Sequence, residues 1–271
     1  MKAEDLKLVV KEKYGEIASN SKNESKNESS CCGSAGCCDS VVYTSFSDDY
    51  SQLEGYNSLA DLGLGCGLPT EFAGIRDGDY VLDLGSGAGN DAFVAARLVG
   101  ERGKITGLDF TEAMVVKARE NLAKTGFKNI EFIQGDIENI PSGDCEYNVV
   151  ISNCVLNLVP DKRKAFSEIF RVLKQGGHFC ISDVVLKGFL PEKLQEEAEL
   201  YAGCISGALQ KDAYIGIMKF QGFSDIIIHK EKQIVLPEEV LASYLSENER
   251  RNIKEAEMGI FSITVTGVRS S

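Results

Sequence analysis

The fold is decided by the stretch YVLDLGSGAG, residues 80–89, in which a mostly apolar run leads into a glycine-rich turn. The run has the length of a buried strand, and the amphipathic stretch Asn90–Val99 after it predicts a helix. Glycine permits a tight turn and lets a ligand approach the backbone closely. The stretch therefore predicts a strand, a ligand-binding turn and a helix in succession.

The same alternation continues on the C-terminal side of this stretch. Apolar runs alternate with amphipathic stretches from residue 79 onward, the pattern of a parallel sheet wrapped by helices. The predicted strands are Tyr80–Leu84, Lys104–Leu108, Ile130–Ile133, Asn148–Ser152, Gly177–Val185, Ile226–Val235 and Ile260–Val268. The predicted helices cover residues 4–18, 90–99, 111–124, 161–173, 190–210 and 237–258, with Gly176-Gly177 ending the fourth. We expect an α/β fold, a doubly wound and mostly parallel seven-stranded sheet with a smaller C-terminal α+β extension.

The residues around the glycine turn indicate what it binds. The turn departs from the dinucleotide pattern G-x-G-x-x-G, because residue 90 is Asn and the third glycine comes one position early. Asp83, two residues before Gly85, would repel a pyrophosphate but would suit the ammonium of an amino-acid group. Asp109 ends the next predicted strand, where a carboxylate can accept hydrogen bonds from both hydroxyls of a ribose.

Two further strand ends carry polar groups. Asp136 and Ile137 follow the third predicted strand, where an acid and an apolar residue could contact the amine and the face of an adenine. Asn153 follows the fourth strand. Open α/β sheets bind ligands at the carboxyl ends of their strands, so these positions converge. The alternative is that Asp109 and Asp136 are only helix caps or turn acids.

Together with Leu173–Gly177, these motifs resemble those of class I S-adenosylmethionine-dependent methyltransferases over residues 75–185. The resemblance implies a Rossmann-like fold and S-adenosylmethionine as the methyl donor. It implies that the cofactor-binding residues are Asp83, Gly85, Ser86, Gly87, Asp109, Met114, Asp136, Ile137 and Asn153.

The nine cysteines bear on the acceptor. A free cysteine is either a small buried apolar residue or a soft ligand. Cys66, Cys154 and Cys204 each stand alone, on segments expected to lie over one end of the sheet. The alternative for each one is a buried structural residue, which is our interpretation of Cys145 and Cys180.

Three segments give a more specific resemblance, which runs from about residue 42 to 221. GCG (65–67), SNCVLNLVPDK (152–162) and GCISGAL (203–209) resemble arsenite S-adenosylmethionine methyltransferases. The family implies that Cys66, Cys154 and Cys204 bind trivalent arsenic. It also implies a fourth cysteine, Cys38 or its neighbour Cys37, in a disulfide step. The alternative for the cysteines within Cys31–Cys38 is a flexible tail that captures metals unspecifically.

The implied chemistry fits the residue types. Trivalent arsenic is soft, so thiolates are its natural ligands. Three thiolates leave a lone pair on arsenic as the nucleophile, and no general base is needed because no proton leaves the attacking atom. The implied substrate is arsenite or its thiol conjugates, and a thiol reductant of the glutathione or thioredoxin type would reduce the disulfide.

Composition excludes other classes. The net charge of −12 and the lack of a basic block argue against nucleic-acid binding, and no apolar stretch is long enough for a membrane span. The N-terminus is not followed by the apolar core of a signal peptide, so the expected location is the cytoplasm.

Two other functions stay open. One is methylation of a small organic acceptor such as a quinone or sterol, although the two histidines, His178 and His229, are interpreted as structural. The other is a non-enzymatic metalloid-binding thiol protein. The predicted organisation is an N-terminal helix and Cys-rich segment (1–40), a methyltransferase domain (41–185) and an arsenic-site insert with C-terminal strands (186–271).

Overall fold

The computed structural model describes residues 3–20, 48–188, 207–234, 246–248, 251 and 259–270. Several predictions lie outside these residues: those on Cys204, on the cysteines within Cys31–Cys38 and on most of the two late helices. In the described parts of the chain, no helix has both the length and the apolar character needed to cross a membrane.

The described strands form one seven-stranded sheet with the order β3-β2-β1-β4-β5-β7-β6. The strands are β1 (Tyr80–Leu84), β2 (Lys104–Asp109), β3 (Ile130–Gln134), β4 (Tyr147–Asn153), β5 (Leu173–Lys187), β6 (Phe223–Ile234) and β7 (Gly259–Arg269). Strands β1 to β5 are parallel to one another, whereas β7 runs antiparallel to both β5 and β6. The mostly parallel seven-stranded sheet is thus as predicted, and β6 and β7 belong to it.

Helices cover both faces of the sheet. They are α1 (Ala3–Asn20), α2 (Pro69–Phe72), α3 (Asn90–Val99), α4 (Glu112–Leu122), α5 (Lys162–Val172) and α6 (Lys211–Phe220), with a 3₁₀ turn at Leu156–Leu158. One apolar cluster centres on Phe166, Phe179 and Tyr214, whose rings meet edge to face. A second contains Phe93 and Val81 on the other face. Burial on both faces explains why the central strands are continuous apolar runs.

The start of β5 differs from the prediction. The sequence predicts a helix to Leu173 and a strand from Gly177, but α5 ends at Val172 and β5 begins at Leu173. Leu173 already pairs with Tyr147, and the register then shifts before His178. Gly176, with φ +72°, lies within this irregularity. Glycine tolerates the left-handed backbone that such a bulge requires, so the glycine pair bends a strand and does not end a helix.

Two other elements position the site. Helix α6 lies between the predicted insert helix and the predicted strand Ile226–Val235, where no element was predicted, and it buries Tyr214, Ile217 and Met218. Strand β7 lies beside β5, and its Ser262 hydroxyl donates to the carbonyl oxygen of Cys66. The C-terminal strands therefore support the segment that carries a candidate ligand.

Candidate active site

A cleft opens at the carboxyl ends of β1, β2 and β4, as the strand-end residues predict. Its empty volume, with the open mouth included, is about 1150 Å³. The predicted residues that line it are Asp83, Gly85, Ser86, Gly87, Asp109, Asp136, Ile137, Asn153 and Cys154. Met114 is not among the lining residues, and it is only 1 % exposed within the core.

The glycine turn forms one wall of the cleft. Gly85 has φ +70°, and a Cβ there would lie 2.5 Å from Cγ2 of Val155. Both the backbone conformation and the lack of space therefore exclude a side chain at this position. Gly87 has φ +52°, but a Cβ there would meet no atom within 4 Å. The space beside Gly87 is therefore open to a ligand that approaches the backbone.

Three acids lie around this turn: Asp83 and Asp91 are buried, and Asp109 is partly buried. Burial raises the pKa of Asp83 well above its usual value, and the neighbouring Asp91 and Asp109 carboxylates raise it further. Burial likewise raises the pKa of Asp91, to about 6, and that of Asp109. Because two neighbouring carboxylates disfavour the charge of Asp83, a bound cation would be stabilised here.

Buried polar atoms without a partner also mark the cleft. Among the described residues, Asp83 Oδ2, Ser86 Oγ and Asn90 Oδ1 are buried and form no hydrogen bond, and all three residues line the cleft. Buried polar atoms in native proteins are nearly always hydrogen-bonded. These three atoms therefore indicate a polar ligand whose donors they would meet.

Asp109 shapes the turn as well as lining the cleft. Its Oδ2 accepts a hydrogen bond from the backbone N–H of Gly87 at 2.9 Å, and its Oδ1 accepts one from the N–H of Thr111 at 2.8 Å. The carboxylate thus fixes the glycine turn to the end of β2. The remaining lone pairs of the two oxygens are available to a ligand.

Helix α1 closes the far end of the cleft. Lys7 on this helix forms ion pairs with Asp136, at 2.6 Å, and with Glu138. Val10 and Tyr14 of the same helix line the cleft, opposite the buried Ile137. The predicted adenine-end residues are therefore covered by a helix that the motif analysis did not connect with them.

The loop around Cys66 is held by Asn153. The amide oxygen of Asn153 accepts the N–H of Cys66 at 3.0 Å. Its Nδ2 lies 2.9 Å from the carbonyl oxygen of Gly67, 2.6 Å from the hydroxyl oxygen of Tyr50 and 3.1 Å from Oδ2 of Asp91. The side chain at the tip of β4 thus connects the cysteine loop to the acids of the cleft.

Two of the three predicted arsenic ligands lie together. The Sγ atoms of Cys66 and Cys154 and a carboxylate oxygen of Asp183 all lie within 4.8 Å of one another, and all three residues are buried. Cys154 has φ +59°, a conformation that residues with a side chain rarely adopt, and its N–H donates to Ser182 O at 2.8 Å. The residue with this rare backbone conformation, Cys154, is the one that belongs both to the cysteine pair and to the lining of the cleft.

Comparisons with known proteins identify the family. A family model described as a methyltransferase domain matches residues 75–222. An arsenite methyltransferase of Halobacterium salinarum is 40% identical over 237 residues, which cover 83% of this chain and 59% of that protein. One of Aquipseudomonas alcaligenes is 36% identical over 190 residues, covering 68% of this chain and 54% of that protein.

A solved structure completes the comparison. The crystal structure of an arsenic(III) S-adenosylmethionine methyltransferase from Chlamydomonas reinhardtii is 33% identical, with a TM-score of 0.63, and the match covers 86% of this chain and 74% of that one. The chain belongs to the arsenite S-adenosylmethionine methyltransferase family. Its sheet is the Rossmann-like sheet of class I methyltransferases, as predicted. The chain spans about half the length of the curated relatives that it matches.

The motifs in the sequence did not point to four residues of the candidate site: Lys7, Tyr50 and Asp91, which line the cleft, and Asp183, which lies beside the cysteine pair. A local signal existed only for Asp91, an acid in the first helical turn after the glycine turn. Of the cysteines interpreted as structural, Cys180 is fully buried, whereas Cys145 is exposed and accepts a hydrogen bond from Arg269.

Asp183 is a fully buried carboxylate with few but specific partners. Its Oδ2 accepts the O–H of Tyr214 and its Oδ1 the N–H of Val184, each at 2.9 Å. Burial nevertheless outweighs these bonds and raises the pKa of Asp183 from 3.8 to about 6. Between these two values the folded protein binds the proton more tightly than the unfolded chain does, so stability falls as the pH rises.

Replacing Asp183 with Asn removes this dependence. Relative to Asp183→Asn, the wild type should lose about 2 kcal/mol of unfolding free energy between pH 4 and pH 7.5, since one pKa unit corresponds to about 1.4 kcal/mol and the unfolded carboxyl is already about half ionised at pH 4. Urea unfolding of both proteins at several pH values measures the difference, in which the contributions of all other groups cancel. Parallel profiles for the two proteins would contradict the raised pKa.

Proposed function

We propose that this chain transfers methyl groups from S-adenosylmethionine to trivalent arsenic held by Cys66, Cys154 and Cys204, giving methylated arsenicals. One observation carries the proposal: the thiols of Cys66 and Cys154 lie close to each other, and Cys154 also lines the cleft. Cys204 lies outside the described residues, and its role rests on the family resemblance.

The cleft residues suit the donor by charge and by shape. Asp83, with an unpartnered buried oxygen, would hold the ammonium of the amino-acid end, and Asp109 the ribose hydroxyls. The glycine turn would admit the donor against the backbone, and Ile137 would contact the adenine face. When bound, S-adenosylmethionine supplies an electrophilic methyl group on a sulfonium centre.

The thiols suit the acceptor by softness. Thiolate sulfur is the preferred ligand of a soft centre, and each As–S bond would form as a thiol proton leaves with an arsenic hydroxyl as water. Three such bonds leave arsenic with one lone pair. Because Cys66 and Cys154 are 3 % and 8 % exposed, the bound arsenic would be shielded from water. The chain would then accelerate transfer by holding the reactants close and oriented.

Each transfer oxidises arsenic to the pentavalent state, so turnover needs two electrons. We propose that a cysteine pair including Cys38 or a neighbour supplies them by forming a disulfide. A glutathione-type or thioredoxin-type thiol would reduce this disulfide by exchange. Since the ligating thiols have to stay reduced, we expect the enzyme to act in a reducing compartment such as the cytoplasm.

The test is incubation of the full chain with arsenite, methyl-labelled S-adenosylmethionine and glutathione, followed by separation of the arsenic species. We expect the label in methylated arsenicals, and none when the chain or arsenite is omitted. Tight arsenite binding without label transfer would indicate a metalloid-binding protein. Transfer of the label to a quinone, with none to arsenic, would indicate an organic acceptor. Either result would contradict the proposal.

A further inference from the structure

The side-chain amide of Asn153 is a junction between two sites. On one side it accepts the N–H of Cys66 and donates to the carbonyl of Gly67, so it contacts the backbone on both sides of the Cys66 side chain. On the other side the same Nδ2, whose two N–H groups are shared among these acceptors, lies 3.1 Å from Oδ2 of Asp91 and 2.6 Å from the hydroxyl oxygen of Tyr50. A partly buried amide with this set of partners fixes the position of the loop relative to the acids.

Tyr50 belongs to the same connection, because its hydroxyl oxygen lies 2.6 Å from Nδ2 of Asn153. Its hydroxyl donates to Asp91 Oδ1, at 2.9 Å, and also lies 3.1 Å from the carbonyl oxygen of Gly67. Tyr50 is 3 % exposed, so these bonds lie away from bulk water. Both Tyr50 and Asn153 therefore join the Asp91 carboxylate to the loop that carries Cys66.

The charge of Asp91 in turn depends on whether a cation occupies the cleft. It lines the cleft, and together with the buried Asp83 it titrates as an interacting pair of acids whose pKa values are raised by burial. A cation placed against this pair favours the charged form of both carboxylates. A charged Asp91 is a stronger acceptor for Tyr50 and Asn153 than a neutral one.

We propose that Asn153, Tyr50 and Asp91 form a positioning network that couples occupancy of the cofactor cleft to the placement of the Cys66 thiol. Donor and arsenite then raise each other's affinity. The proposal rests on the proposed function, and it adds a linkage between the two sites. Asn153 was predicted to bind the cofactor, whereas here it acts through the Cys66 loop.

The linkage works in both directions because coupling between two binding sites is reciprocal. The ammonium of the donor favours a charged Asp91, which strengthens the hydrogen bonds that fix the loop. Arsenic bound to Cys66 fixes the same loop, and the hydrogen bonds then hold Asp91 in its charged form for the ammonium.

The test measures arsenite binding by the full chain with and without S-adenosylhomocysteine, which has the same ammonium and ribose but no transferable methyl. Because the chain contains no Trp, equilibrium dialysis with arsenic quantification is the readout. At pH 5, where an Asp91 with a pKa of about 6 is mostly neutral in the empty cleft, we expect S-adenosylhomocysteine to tighten arsenite binding by about 5-fold to 10-fold, and arsenite to tighten its binding by the same factor. In Tyr50→Phe and in Asn153→Ala this factor should fall to about one.

Ser262→Ala is the matched control. The Ser262 hydroxyl holds the same loop through the carbonyl of Cys66, and among the described residues it has no hydrogen bond to Asp91 or Asn153. This variant should weaken arsenite binding yet keep the coupling factor of the wild type, which a merely structural role of the network would not predict. Circular dichroism identifies variants that do not fold. If Asn153→Ala does not fold, the coupling factor of Tyr50→Phe, the most conservative change, decides whether the network couples the two sites.

Two results would overturn the proposal. One is wild-type coupling in Tyr50→Phe or in Asn153→Ala. The other is a wild type that binds S-adenosylhomocysteine but has the same arsenite affinity with and without it, which would leave the proposed function intact. Absence of any S-adenosylhomocysteine binding would instead end both proposals.

Discussion

Replacing Cys154 with Ser will lower arsenite methylation by at least about 10³-fold while leaving the affinity for S-adenosylhomocysteine at its wild-type value. The loss is large because a serine hydroxyl is a hard group that does not replace a thiolate on a soft centre. Without this ligand the arsenic is no longer fixed beside the cleft, and the gain from proximity disappears. Steady-state methylation with product speciation measures the activity, and calorimetric titration measures the affinity.

Cys145→Ser is the matched control for this experiment. Cys145 is exposed, and its sulfur contacts Arg269, so the substitution changes a thiol of the same chain outside the cysteine pair. We expect its activity to equal that of the wild type. Two results would contradict the account: more than a tenth of the activity in Cys154→Ser, or an equal loss in the control.

Replacing Gly87 with Ala should weaken S-adenosylhomocysteine binding by about 10²-fold. A Cβ at Gly87 would extend into open space on the cleft wall, where the ligand is expected to approach the backbone. The left-handed backbone at φ +52° adds strain of about 1 kcal/mol for a residue with a side chain. The substitution therefore blocks the ligand in addition to straining the turn.

Gly176→Ala separates these two effects. Gly176 also has a positive φ, +72°, and open space around its position, but it lies in the irregular start of β5 and does not line the cleft. Thermal unfolding should show a similar destabilisation in both variants, whereas calorimetry should show weaker binding only in Gly87→Ala. Equal affinities in the two variants would mean that the donor does not bind against the glycine turn.

The first half of the sheet could be predicted closely from the sequence. The bounds of β1, β2, β3 and β4 agree with the predicted strands to within about one residue at each end. The strands β1, β2 and β4 are mostly buried runs, β3 alternates apolar and polar residues, and each ends at a turn or a polar residue. The start of β5 could not be predicted, because the pairing of Leu173 with Tyr147 is a long-range contact that overrides the local helical pattern.

The cofactor side of the site was predictable for a topological reason. Parallel strands end at the same edge, so residues such as Asp83 and Asp109 had to approach one another once the strands were placed. Tyr50 and Asp183 could not be found in this way. Tyr50 reaches Asn153 across 103 positions of sequence, and Asp183 lies within a strand among apolar residues. Their roles depend on the folded arrangement and not on any local pattern.

Sulfur atoms of this chain are proposed to hold arsenic beside the donor cleft. X-ray absorption at the arsenic K-edge, on the full chain loaded with arsenite, measures this coordination. We expect three sulfur neighbours and no oxygen neighbour in the wild type, with fewer sulfur neighbours in both Cys66→Ser and Cys154→Ser. An arsenic environment made of oxygen, or one that neither substitution alters, would contradict it.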